Sequence, residues 1–286
     1  MSSTPRTPPT SASSVPALRS AHARSLTRRM LSGEGAVELT AYRAGETLSS
    51  AVHCVSRTGQ LVVADIPNLF HSLGAFHTPE DIEVRVDIVK DAADHGLNLR
   101  LASVHLLGTL RWCRDTAQVE ALGLQGRVAD LVHDVGPRVR VGVVTTERVL
   151  LHDCSGVNAH GEAVLVEASA APSPADAPAD ALADAVLATA PQLLANVADA
   201  VLDGEIAGWA EPLDVPATED LTVDPVHCVD VDHHCVSLAR FAGDQGWVVQ
   251  VPLPSPSEAS PLQDSSRAWH HLLGSLPARL TADLAS

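Results

Sequence analysis

Between Ala36 and Ala168 the chain delivers short runs of Val and Leu separated by turn residues, and this spacing restricts its fold more than any other feature. Residues 36–41, 49–56 and 60–65 are β-rich runs divided by Ala-Gly-Glu and Arg-Thr-Gly turns, the pattern of a meander. Residues 84–90 alternate, which sends Val84, Val86 and Ile88 to one face of a strand and Arg85, Asp87 and Val89 to the other. The long run 97–113 contains Gly108 and predicts two strands or one bent strand. A helical interlude at 116–132 precedes a hairpin of 138–145 with 149–153, and 163–168 reads as a further strand. Roughly six to eight strands at hairpin spacing with few helices predict a small antiparallel barrel.

Composition narrows the partners. Aromatic residues are 3% of the 286, against 45% hydrophobic, so the core must be aliphatic. The formal charge of −16, with Lys90 as the only lysine, opposes phosphate backbones and anionic membranes. Nucleic acid and membrane are therefore not expected as partners, while 18 arginines leave room for a local pocket that takes an anionic small molecule. Five scattered cysteines read as reduced thiols, no apolar run is long enough to span a bilayer, and the polar N-terminus lacks a signal-peptide core. A cytoplasmic protein is expected.

The chain organises into four stretches. Residues 1–14 are a Ser/Thr/Pro tail expected to be disordered. Residues 15–170 form the β domain, entered by an amphipathic helix over 15–31 that Gly33 and Gly35 close. An Ala/Pro/Asp linker fills 171–181, and 182–286 make a second module. That module begins helical, with Pro191 as punctuation, continues through three short strands and ends in a helix.

The second module carries a resemblance. Val231-Asp232-His233-His234-Cys235-Val236-Ser237-Leu238 matches a Leu-Asp-x-x-Gly-Leu-x-Leu hairpin. Gln250-Val251-Pro252-Leu253-Pro254-Ser255-Pro256 matches Arg-Leu-Pro-Phe-x-x-Pro, and Ala198-Asp199-Ala200 lies in a helix like Asn-x-Asp-His-Ala-Asp-Ala-Leu. Over about residues 180–275 the chain thereby resembles the HugZ/HutZ-type heme-utilisation family. The resemblance implies an α+β fold: an antiparallel split β-barrel of the FMN-binding, pyridoxamine-phosphate-oxidase-like kind. A C-terminal α/β module with a three-stranded antiparallel sheet and flanking helices follows it. It also implies a homodimer whose subunits share a ligand cleft. Here the sequence departs from the pattern: Val197 replaces the helix histidine, Asn196 its preceding aspartate and Cys235 the hairpin glycine. The barrel's Ser-x-Leu-Ala-x-His-Thr-x-Asn stretch has no match, its nearest counterpart being residues 70–78.

Several residues carry potential chemistry. His71 and His77, with Phe70 and Phe76, sit in one apolar loop that can cap a porphyrin and supply an axial nitrogen; the plainer reading packs the two rings on the barrel rim. Arg138 and Arg140 alternate on one strand, where they either pair with propionate or phosphate or face solvent. His227, Cys228, His233, His234 and Cys235 are the densest set of ligand types, yet hairpin alternation splits them between two faces. They are read as turn histidines beside small buried thiols, with no metal site. His270 and His271 flank an apolar stripe of Leu262, Trp269, Leu273 and Leu276. No G-x-G-x-x-G, P-loop or G-x-S-x-G occurs, and catalytic residues cannot be assigned from motifs. The resemblance makes heme the first cofactor expectation, with His71, His77, Arg138 and Arg140 as its binding residues and heme degradation as an attached activity. The alternatives are a non-catalytic regulatory or interaction protein on the same fold, and an FMN-dependent oxidoreductase.

Overall fold

A computed structural model describes residues 15–49, 51–67, 74–94, 97, 99–170, 179–213, 226–232, 234–242, 245–253 and 261–276. The chain forms two compact units, one of residues 23–91 and 99–171, the other of residues 1–22, 92–98 and 172–286. The division falls inside α1 (Val15–Leu31), the helix expected at the entrance. The expected tail 1–14 lies outside the described residues, as do residues 171–178 of the linker. Both units are antiparallel sheets with helices, so the α+β class stands. Among the described residues, no helix is long and apolar enough to cross a membrane.

In the first unit nine strands pair: β1 (Ala36–Ala41), β2 (Glu46–Leu48), β3 (Val52–Val55), β4 (Leu61–Asp65), β5 (Ile82–Asp91), β6 (Arg100–Trp112), β7 (Arg140–Thr145), β8 (Arg148–Asp153) and β9 (Gly156–Gly161). The order is β2-β1-β5-β6-β7-β4-β3, with β8 on β6 and β9 on β8. The path is open, with β2 and β3 at its ends, and closes no barrel among the described residues. The run around Gly108 is one strand. It pairs with β5 along one edge, and along the other with β8 near its start and β7 near its end. A Cβ at Gly108 would stand 2.4 Å from the Thr145 carbonyl oxygen, so only glycine lets β7 come this close.

Three expectations are corrected here. Residues 163–168 are not a strand but helix, α4 (Ala163–Ser169), following α2 (Thr116–Ala121) and α3 (Gly126–Val135). Val164, Leu165 and Ala168 are buried while Val166 is 61% exposed, a helical face rather than strand alternation. Second, β9 was missed because Gly-Val-Asn-Ala-His-Gly has no apolar face to betray it, its residues being mostly exposed. Third, Arg138 belongs to a 3-10 turn, Gly136–Arg138, and β7 starts only at Arg140, so the two arginines do not share a strand.

The second unit packs α5 (Ala179–Leu187), α6 (Pro191–Leu202) and α7 (Pro261–Ser275) on a sheet of order β10-β13-β12-β11. Its strands are β10 (Trp209–Leu213), β11 (Val226–Val231), β12 (Cys235–Ala242) and β13 (Gln245–Pro252). The sheet has four strands rather than three, because β10 adds to β13 as an edge. Pro191 opens α6, where its missing N–H would have had no intrahelical partner. Trp269 and Val197 are fully buried in the core with Leu182, Leu194, Leu238 and Val249. The residue at the family's histidine position is thus a core contact. The β11 edge is covered by backbone bonds from the Ala93 N–H to Val229 O at 2.9 Å and from the Asp94 N–H to Cys228 O at 3.2 Å.

Candidate functional site

The described histidines and cysteines of the β11–β12 hairpin are engaged in hydrogen bonds and packing. Buried Asp232 accepts the His234 and Cys235 N–H groups at 2.7 and 2.8 Å and so fixes the β11–β12 turn. Cys235 takes the hairpin-glycine place in extended backbone, since among the described residues only glycines have positive φ. His227 Nδ1 meets Asp94 Oδ2 at 2.8 Å and its ring packs edge-on to Phe241. Burial, with Asp230 and Asp94 nearby, pushes the Cys228 thiol up to about 12, so it is no thiolate ligand near neutrality. His233 lies outside the described residues, and among those described no group of three or more His, Cys, Asp or Glu side chains could hold a metal ion. His270 and His271 are exposed, flanking buried Trp269 as expected.

Of the expected heme-binding residues, the first unit brings two together. Arg140, on β7, donates to the Phe76 carbonyl at 2.7 Å and reaches buried Asp65 Oδ2 at 3.5 Å. Its guanidinium lies 4.4 Å from the centroid of the Trp112 ring. Burial lowers its pKa, and Asp65 opposes that shift. The bond to Phe76 ties β7 to the 3-10 turn Ala75–His77, which carries half-buried His77. Arg138 is exposed in its own turn, and His71 lies outside the described residues.

Trp112 also borders a cleft of about 720 Å³ lined by Pro79, Glu80, Asp81, Arg111, Arg114 and Gln118. Arg111 grips Asp81 with two bonds, at 2.7 and 2.5 Å, and the carboxylate raises its pKa. A smaller cavity of about 280 Å³ shares Trp112, Arg111, Asp81 and Gln118 with it and adds Cys113 and Val143. The cleft thus brings together the Trp112 indole, the Arg111 and Arg114 guanidinium groups and the carboxylates of Glu80 and Asp81.

A second arrangement, unmarked by any motif, lies further along the same sheet, on β5, β6 and β8. Cross-strand register sets Asp87 opposite His105 and His152 opposite Ser103. His105 Nδ1 stands 2.5 Å from Asp87 Oδ1, and its Nε2 stands 2.9 Å from Ser103 Oγ. Since a carboxylate only accepts, Nδ1 carries a proton, and in the neutral imidazole Nε2 then accepts from the Ser103 hydroxyl. Arg85 Nε holds the other carboxylate oxygen at 2.7 Å, and the His152 ring is edge-on to His105 at 4.8 Å between centroids. His105 lines a groove of about 610 Å³ walled by Leu106, Leu107 and Leu150, with Arg85 and Arg148 also lining it. Alternation within 84–90 put Arg85 and Asp87 on one face. The pairing of that face with Ser103 and His105 depends on hairpin register, which no local pattern reveals.

No family model and no curated protein matches the chain. Among solved structures it is similar to a heme binding protein from Mycobacterium smegmatis, at 18% identity and a TM-score of 0.41 over 87% of this chain and 96% of that one. It is also similar to a protein of unknown function from Agrobacterium tumefaciens, at 16% identity and 0.35 over 95% and 100%. A third is a protein of the pyridoxinephosphate oxidase family, related to general stress protein 26, from Clostridium acetobutylicum. There the identity is 11% and the TM-score 0.33 over 52% of this chain and 96% of that one. None of the three reaches a TM-score of 0.5, so the chemistry of the site rests on its own geometry.

Proposed function

We propose that the chain binds a tetrapyrrole, heme first among them, in the cleft beside Trp112. The observation that carries this reading is the size and lining of that cleft: about 720 Å³ with an indole and two arginines, set beside Glu80 and Asp81. A porphyrin needs an aromatic or apolar wall for the macrocycle and cations for its propionates. Arg114 would take one propionate and Arg111, on exchanging its Asp81 partner, the other, while Trp112, backed by Arg140, would meet the macrocycle. The turn Ala75–His77 lies just before Pro79 of the cleft wall, so His77 would supply the iron with a nitrogen, and His71 is the alternative donor by sequence. Bound heme would supply an iron able to take a histidine nitrogen and to carry redox chemistry. Arg138 would serve as an outer cation. The cleft is open on one side, and a second copy of the chain would close it. On this reading residues 15–170 act as a split-barrel domain that holds the ligand and 182–286 as an accessory module.

Hemin titration of the purified protein tests this. A saturable shift of the Soret band is expected, weakened in His77→Ala or His71→Ala. Arg111→Ala should lower affinity about tenfold, the value of one charge-assisted hydrogen bond. No saturable shift would sink the reading, and a shift lost in His105→Ala but kept in both loop variants would move the ligand to the other groove. A flavin spectrum in the protein as purified would favour the oxidoreductase alternative. Light scattering should return about 60 kDa, twice the 29.9 kDa of one chain; a monomer would remove the shared-cleft reading.

A further inference from the structure

The geometry points to Ser103, His105 and Asp87 as a nucleophilic relay that cleaves carboxylic esters. This goes beyond tetrapyrrole binding, uses a different cavity and needs no cofactor. Three facts support it. The Ser103 hydroxyl donates to an imidazole whose other nitrogen is held by a carboxylate, at 2.9 and 2.5 Å, the order and spacing by which a serine is activated. Asp87 is itself fixed by Arg85 at 2.7 Å, so the tautomer that leaves Nε2 able to accept a proton is locked. Finally, the relay sits on three paired strands rather than on a loop, with Ser103 and Asp87 each 8% exposed and His105 alone of the three lining a groove of about 610 Å³.

In the proposed reaction Ser103 Oγ attacks the ester carbonyl carbon and its proton passes to His105 Nε2. The carbon–oxygen bond to the alcohol breaks, and that oxygen takes the proton from Nε2 as it leaves. Water then attacks the acyl-serine and gives its proton to Nε2. The carboxylic acid departs as Ser103 Oγ recovers the proton. His152, directly across the ladder from Ser103, would donate its ring N–H to the developing oxyanion. The leaving alcohol passes over His105 into the groove. The leucine walls suit an apolar group there, and Arg148, beside Glu147, can meet a negative charge while Arg85 holds Asp87. The substrate class is therefore an ester with an apolar alcohol portion that carries one anionic group.

An alkyl fluorophosphonate probe, read by intact mass and peptide mapping, tests the relay in the full-length protein without heme. One adduct is expected, on Ser103, and none in Ser103→Ala. The labelling rate should fall on the order of 10²- to 10⁴-fold in His105→Gln and on the order of 10²- to 10³-fold in His152→Ala. Asp87→Asn should slow it also, and Asp87→Glu should recover part of the loss. Circular dichroism melts of each variant separate lost folding from lost chemistry. A nitrophenyl butyrate carrying a ring carboxylate should turn over faster than its uncharged parent, and Arg148→Ala should erase that preference. No adduct, an adduct elsewhere, or a folded His105→Gln variant labelled at the wild-type rate would overturn the proposal. Because the probe reads the ligand-free protein, failure here leaves the hemin result untouched, and the reverse holds.

Discussion

His53 Nε2 lies 2.6 Å from the Met30 carbonyl, to which it donates, in a site only 3% exposed. Desolvation, helped by Arg127, lowers its pKa below the ordinary 6.5. His160 moves the same way, through burial and Arg24. The unfolded chain therefore binds more protons than the folded one at pH values just below 6.5, and stability must fall as pH falls through that window. Urea midpoints should drop between about pH 7 and about pH 5, and His53→Gln should flatten that slope. An equal slope in both proteins would assign it to other groups. Single residues also mark where sequence reading stops. Buried Cys228 and exposed His270 follow from hairpin and helix spacing. Ser103, His105 and Asp87 do not, because 18 residues separate His105 from its carboxylate and only strand pairing joins them.

Among the elements, those with an apolar face were legible and those without one were not. The strands β1 and β5 follow from spacing because each buries an alternating Val, Leu or Ile face, and β4 because it is a continuous apolar run. Helix α1 follows because it buries Leu26, Met30 and Leu31, although His22, Ser25 and Thr27 are buried with them. By contrast β9 is polar, and the fourth strand β10 hides in Trp-Ala-Glu-Pro-Leu, whose proline disfavours any strand except an edge. Helix α4 was misread because six apolar-rich residues fit either period. Leu165→Ala there should cost about 2–5 kcal/mol, whereas replacing exposed Val166 by Ala should cost less than about 0.5 kcal/mol. Equal losses in thermal melts would contradict the helical face. Gly108→Ala should destabilise by about 1–3 kcal/mol as β7 is pushed from β6. It should also slow probe labelling, since Gly108 and Thr145 both line the groove.

For the molecule as a whole, composition gave an aliphatic core, and each unit has one of its own, with Val, Leu and Ala dominant. The open nine-stranded sheet was harder to foresee than a barrel, because hairpin spacing is the same in both. Nor could sequence show that the second unit recruits residues 92–98 from the hairpin between β5 and β6. Residues 179–286 produced alone would lose the Ala93 and Asp94 bonds to β11 and the His227–Asp94 contact. That fragment should self-associate through the bared edge, and added salt or dilution should not restore a monomer as stable as the unit in the intact chain.

The same borrowed segment has a use. Because one folded unit draws on residues from both sides of 171–178, the protein can be made as two polypeptides, the first holding residues 92–98 that the unit of the second needs. Co-expressed halves divided within that stretch should find one another without a fused dimeriser, and Asp94→Ala should weaken their reassembly. The chain carries the layout of a split reporter.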